Sequence, residues 1–277
     1  MQDVVLDITN NDRKSLSSDL SRKWRKVASL WQVFQCRKLA RHYQIGGHWK
    51  RIYFYHIRKT GGTSINHMFL SSGADKGAEA YATMCKLDGH CLVSGKRVFV
   101  GWNPRLINAG HYFYAFSHVP AHRLELPERT FTFTCLRDPV RRVLSHYKML
   151  IECSQSKAPP PWFKEEEVWL GNGFDDFLSN IPKEHLLNQL YMFSESFDPD
   201  EAFSRIAGCS FCFITEKFSH GIDGLSKKIG FDLNPVHIRR TTVELGLRSE
   251  EVERLRSMLA PEFTLYERVK EYLSSNR

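Results

Sequence analysis

The chain has 277 residues, of which 42% are apolar, 13% aromatic and 25% charged; these are globular proportions and exclude collagenous, fibrous and disordered classes. Lys and Arg outnumber Asp and Glu by 39 to 31, a net charge of +8, so anionic partners are favoured, with nucleotide, nucleic acid and acidic glycan all compatible. No apolar run reaches the ~18–20 residues needed to cross a bilayer, and the opening MQDVVLDITNNDRK lacks a basic-then-apolar leader. The seven cysteines (Cys36, Cys85, Cys91, Cys135, Cys153, Cys209 and Cys212) are odd in number and irregularly spaced, which predicts buried thiols rather than a disulfide framework. Cys209-Ser-Phe-Cys212 has redox or zinc spacing, but no second pair completes a site. With no Asn-x-Ser/Thr acceptor in the sequence, a reducing, cytoplasmic location is the expectation and a lumenal one the alternative.

In chain order, Leu20, Trp24, Val27, Leu30, Trp31 and Phe34 recur at three- and four-residue steps. Interleaved with them stand Arg22, Lys23, Arg25, Lys26, Arg37, Lys38 and Arg41. This pattern predicts a basic amphipathic helix over 15–42, ended near Gly46-Gly47. It forms an N-terminal extension over 1–48, set before one domain over 49–277. Docking on that domain is the plain expectation; peripheral contact with a membrane or an acidic polymer is the other. Residues 51–56 are β-branched and aromatic and predict a strand, followed by a Gly-rich loop and a helix over 65–70. Residues 73–95 read as irregular. Strands are expected at 97–101, 112–116 and, most clearly, 130–136, with a helix at 140–151. Three consecutive prolines make 154–165 irregular. Helices around 174–180, 184–193 and 199–206, a strand at 210–215, and helices at 218–229, 249–259 and 261–273 complete the chain. Strands alternating with helices, without hairpin signals, predict an α/β domain with a mostly parallel central sheet flanked by helices. The phenylalanines at 113, 116, 131 and 133 read as core.

Two segments carry chemistry. In Lys59-Thr60-Gly61-Gly62-Thr63-Ser64, the glycines let backbone amides approach an anion, the hydroxyls add donors, and Lys59 adds a point charge. The lysine precedes the glycine pair, so the loop is not a Walker A motif; an ordinary strand-to-helix turn is the alternative. In Arg137-Asp-Pro-Val-Arg-Arg-Val-Leu-Ser145-His-Tyr147, Arg137 ends a strand, Pro139 suits a first helical turn, and Ser145 lies two turns along. Arginine at a strand's carboxyl end, with a helix hydroxyl, can clamp a second phosphate; a structural Arg–Asp pair is the alternative. No carboxylate or His/Cys cluster has metal-ligand spacing.

Together the two segments resemble those of sulfotransferases that use 3′-phosphoadenylyl sulfate (PAPS), especially the heparan sulfate 2-O-/6-O-sulfotransferase branch. His56-Ile-Arg-Lys-Thr-Gly-Gly-Thr-Ser64 is similar to that family's 5′-phosphosulfate loop, and Arg137 to Ser145 to its 3′-phosphate motif; Arg58 stands where the family usually has proline. The resemblance implies a P-loop-like three-layer fold and PAPS as co-substrate, with adenosine 3′,5′-bisphosphate as product and no metal. It implies contacts to the nucleotide from Lys59, Thr60, Gly61, Gly62, Thr63, Ser64, Arg137 and Ser145. Through a His237-Ile-Arg-Arg-Thr-Thr242 stretch it adds Arg239 and Thr241. Phe116-Ser-His118-Val-Pro120 is similar to the segment holding the family's proposed base, which assigns His118 as general base; His56, His111 and His122 are alternatives. Lys59 would stabilise charge on the bridging oxygen. The implied acceptor is a hydroxyl, of a carbohydrate by resemblance, and the implied lumenal alternative is the Golgi. Competing readings are a P-loop nucleotide-dependent kinase and a basic, non-enzymatic module binding an anionic polymer, with no specific nucleic acid.

Overall fold

The computed structural model describes residues 34, 36–38, 40, 43, 45–73, 76–87, 90–234 and 244–275. Most of the helix expected over 15–42 therefore lies outside the described residues, as do Arg239 and Thr241; residues 34 and 36–38 are helical.

Runs of β-branched and aromatic residues become strands where both faces can be covered. The elements are, in order, β1 (Arg51–Tyr55), α1 (Gly62–Ser71), α2 (Gly77–Lys86), β2 (Cys91–Ser94), β3 (Arg97–Gly101), α3 (Pro104–Ala109), β4 (Tyr114–Ser117), β5 (Thr130–Leu136), α4 (Pro139–Ser154), α5 (Phe163–Glu166), α6 (Phe174–Asn180), α7 (Lys183–Leu186), α8 (Asn188–Tyr191), α9 (Pro199–Ala207), β6 (Phe211–Ile214), α10 (Phe218–Ile229), α11 (Ser249–Met258) and α12 (Ala260–Ser275). Among the described residues the strands form one six-stranded sheet in the order β2-β3-β4-β1-β5-β6. Every pairing is parallel except β2 with β3. The expected mixed α/β architecture is the one observed.

Alternation along β1 and β5 splits the core. Ile52, Phe54, Phe131 and Phe133 pack on one face with Phe69 of α1 and Ile222, Leu225 and Ile229 of α10. Tyr53 joins Val98, Val100 and Ala115 on the other. A third cluster packs Val143, Tyr147 and Leu150 of α4 against Leu265 and Val269 of α12. Phe113, Phe116, Phe131 and Phe133 are all buried, as core phenylalanines should be.

Two expectations need correction. Residues 73–95 are not irregular: they contain α2 and β2, and β2 pairs antiparallel with β3 through Gly95 and Lys96. Both turn residues have positive φ, 54° and 64°, which suits a two-residue hairpin whose turn matches strand twist; the Ser-Gly-Lys-Arg run was the overlooked hairpin signal. The single helix expected at 184–193 is two short ones, broken at Leu187 (φ −104°, ψ 45°). That break places Asn188 and Gln189 beside the strand ends. No helix among the described residues is long and apolar enough to cross a membrane.

Candidate active site at the carboxyl ends of the central strands

Strands β4, β1 and β5 lie side by side and parallel, so their carboxyl ends share one edge of the sheet, the edge at which parallel α/β sheets bind ligands. His118 follows β4, the loop over 56–61 follows β1, and Arg137 follows β5.

The loop turns through two left-handed residues, Lys59 (φ 67°) and Gly61 (φ 83°). Gly61 precedes α1, which starts with neither a side-chain cap nor an acidic residue in its first turn. A helix start without a capping carboxylate is the kind of place where an anion is favoured. A Cβ on Gly62 would come within 1.9 Å of His56 Nε2, so that position accepts only glycine while the imidazole stays in place. Thr63 and Ser64 are half-buried on the first turn. Thr60 is buried, and its hydroxyl donates to Ile57 O at 2.9 Å. It therefore braces the loop and can offer a ligand only its amide.

Lys59 is the hub between loop and α4. Its Nζ lies 3.2 Å from Met149 Sδ, and its carbonyl accepts a bond from Arg137 Nη1 at 3.1 Å. Met149 is one helical turn beyond Ser145, on the same face of α4, so Lys59, Arg137 and Ser145 border one region. The Ser145 hydroxyl is half-buried and makes no hydrogen bond to the described residues. Arg137 is locked at its backbone: Gln189 Oε1 accepts from its N–H at 2.8 Å, and Gln189 Nε2 donates to its carbonyl at 3.0 Å. Burial pulls the Arg137 pKa below the ordinary arginine value, with Glu216 opposing. Behind this clamp lies a buried ion pair: Glu262 Oε1 accepts from Arg142 Nε at 3.1 Å and from the Gln189 amide at 3.3 Å. Asp138 caps α4 by accepting from Arg141 N at 2.9 Å, and Pro139 opens its first turn as expected.

On the other side of β1, His118 Nδ1 lies 2.6 Å from His56 O. A carbonyl only accepts, so the hydrogen resides on Nδ1 and the lone pair on Nε2. Burial, aided by Arg58, pulls the His118 pKa down to about 4. His56 is buried against it, ring centroids 4.3 Å apart, and burial holds its pKa well below the usual histidine range. Tyr114 donates to Asn66 Oδ1 at 2.7 Å, orienting the amide whose Nδ2 lies 3.5 Å from His56 Nδ1. His56 is thus a support for His118. His111 precedes β4 and so sits at the opposite end of the sheet. His122 packs on Tyr191, ring centroids 5.5 Å apart.

Arg58 is held by polar contacts. Its N–H donates to Asn188 Oδ1 at 3.1 Å, and its Nη1 lies 2.5 Å from Glu166 Oε1 and 3.3 Å from His185 Nδ1. Glu166 Oε2 also accepts from His146 Nε2 at 3.1 Å. His146 and Arg58 outweigh the effect of burial on Glu166 and bring its pKa down to about 2, while burial brings His146 to about 3. Gln189, Glu166, Asn66 and Met149 escaped the sequence reading, because each acts from an element distant in the chain and none belongs to a local motif. Burial pushes the Cys209 and Cys212 thiols up to about 12 and about 11.

No family model matches the chain, and no curated protein does. Among solved structures the chain is similar to a sulfotransferase from Alicyclobacillus acidocaldarius. Identity is 15%, over 88% of this chain and 91% of that one, with a TM-score of 0.35. At that level the likeness carries no argument about chemistry, which rests on the geometry above.

Proposed function

We propose that the chain is a PAPS-dependent O-sulfotransferase acting on an acceptor hydroxyl, of a carbohydrate by the motif resemblance. The observation that supports this most is that Arg137 and His118, from opposite sides of β1, are both hydrogen-bonded to the backbone of the same loop, at Lys59 O and His56 O. A candidate second-phosphate clamp and a candidate base are thereby set against one anion-binding turn. In this reading the amides of Gly61, Gly62, Thr63 and Ser64 and the side chains of the last two hold the 5′-phosphosulfate. Arg137 and Ser145 hold the 3′-phosphate, with Arg239 and Thr241 as further contacts, and this fixes the donor for in-line attack. The acceptor oxygen forms a bond to sulfur as the bond from sulfur to the bridging oxygen breaks. The acceptor proton passes to His118 Nε2, and Lys59 stabilises the charge left on adenosine 3′,5′-bisphosphate. The depressed His118 pKa keeps the lone pair available at neutral pH, and the negative charge of the bound donor raises its proton affinity when the acceptor arrives.

For the kinase reading, the hydroxyl following the lysine should be open to a ligand, whereas Thr60 spends it on Ile57 O. A labelled-sulfate assay from PAPS against glycans and small alcohols tests the proposal. Transfer should occur with the parent chain and vanish in His118→Ala, whose affinity for adenosine 3′,5′-bisphosphate stays within about threefold. Absence of calorimetric binding of that nucleotide overturns the proposal, and so does full turnover by His118→Ala.

A further inference from the structure

Outside the candidate site, two of the thiols meet. Cys36 and Cys91 are 55 positions apart, yet their sulfurs lie 3.2 Å from one another. Both are buried, 1% and 3% exposed, in the cluster that packs Tyr53, Val98, Val100 and Tyr112 on one face of the sheet. Cys36 belongs to the short helical stretch before residue 45, and Cys91 begins β2, the outermost strand, with one sheet neighbour. A covalent bond requires the sulfurs to close from 3.2 Å to ~2.05 Å. We infer that Cys36 and Cys91 form a disulfide that fastens the segment before residue 45 to the edge of the sheet. This inference does not depend on the proposed sulfuryl transfer.

The oxidant is a small-molecule disulfide such as glutathione disulfide. Cys36 as thiolate attacks one of its sulfurs and releases one glutathione. Cys91, losing its proton, then attacks the Cys36 sulfur of the mixed disulfide and releases the second. Two protein thiols lose two electrons and two protons, and the glutathione disulfide takes up both. The contact with Cys91 holds the Cys36 pKa below the ordinary thiol value, which favours Cys36 as the first nucleophile. Because both sulfurs are buried, exchange proceeds during folding or through local opening. The bond closes a long loop and so restricts the unfolded chain more than the folded one.

The full chain is refolded with glutathione disulfide, alkylated under denaturing conditions and mapped by mass spectrometry. A cross-linked peptide joining Cys36 to Cys91 is expected, with the other five cysteines alkylated. The melting temperature of the oxidised protein should exceed that of the reduced one by about 4–10 °C, a difference kept in Cys85→Ser and lost in Cys91→Ser. If Cys91→Ser does not fold, the peptide map of the parent protein decides alone. Recovery of all seven cysteines alkylated overturns the inference. So does glutathione left on Cys36 beside an alkylated Cys91, or cross-linking without any change in melting temperature.

Discussion

Replacing Arg137 with alanine separates the two ends of the proposed nucleotide site. Among the described residues the guanidinium carries one bond, to Lys59 O, and a phosphate could take its remaining N–H groups. Its backbone is clamped on both polar atoms by Gln189, so truncation at Cβ removes the charge without releasing the strand end. A charge-assisted bond to a phosphate is worth about 1.5–3 kcal/mol, which predicts a roughly 12- to 160-fold weaker affinity for adenosine 3′,5′-bisphosphate. Adenosine 5′-phosphate, lacking the group that Arg137 would hold, should lose no more than about threefold. Arg137→Lys keeps a point charge but not the planar fork and should fall between the two. Titration calorimetry of both nucleotides against the three proteins reads the result. Equal losses for the two ligands would refute the assignment of Arg137 to the 3′-phosphate.

Gly62→Ala should cost about 1–3 kcal/mol in urea unfolding, because the added methyl meets a His56 ring already stacked on Phe54 at 5.2 Å and against His118; a neutral change would mean that the ring has somewhere to go. Arg142→Ala strands Glu262 in a fully buried position and should cost about 3–5 kcal/mol. Since Glu262 also holds Gln189, nucleotide affinity should fall with it, and unchanged affinity in a folded variant would break the proposed line from Arg142 to Arg137. Stability should drop on mild acidification. His118 and His146 have folded pKa values of about 4 and about 3, below their unfolded value. Their contribution is therefore present above pH ~6.5 and is lost as pH falls from there towards the folded values, at up to about 2.7 kcal/mol per pH unit while both sites differ by a full proton between the folded and unfolded chain. Urea midpoints that stay level between pH 7 and pH 5 would show these imidazoles to be protonated in the folded state.

Local rules made much of the site legible before any coordinates. A β-rich run ending in Lys-Thr-Gly-Gly announces a strand feeding a glycine turn and a helix, and Arg-Asp-Pro after Thr130–Leu136 announces a capped helix start; these elements stand where expected. The hairpin of β2 and β3 is legible in principle from Gly95-Lys96, but the mixture of Gly, Ala and polar groups over 73–95 hides the four-residue strand before it. Arg58 shows the opposite situation. By sequence it is one more basic residue of the loop, and only packing reveals that Glu166, His185 and Asn188 hold it there through polar contacts.

The order of residues along the chain determined which segments could be strands, which turn could take an anion, and which side chains carried suitable chemistry, because these depend on period, φ preference and charge within a few residues. Tertiary structure alone decided that His118 carries its proton on Nδ1, that Thr60 turns inward, and that Gln189 and Glu262 stand behind Arg137. Each of these depends on a hydrogen bond or on burial between groups tens to more than a hundred positions apart or on the path of one folded turn, and pairings of that kind leave no trace in local spacing.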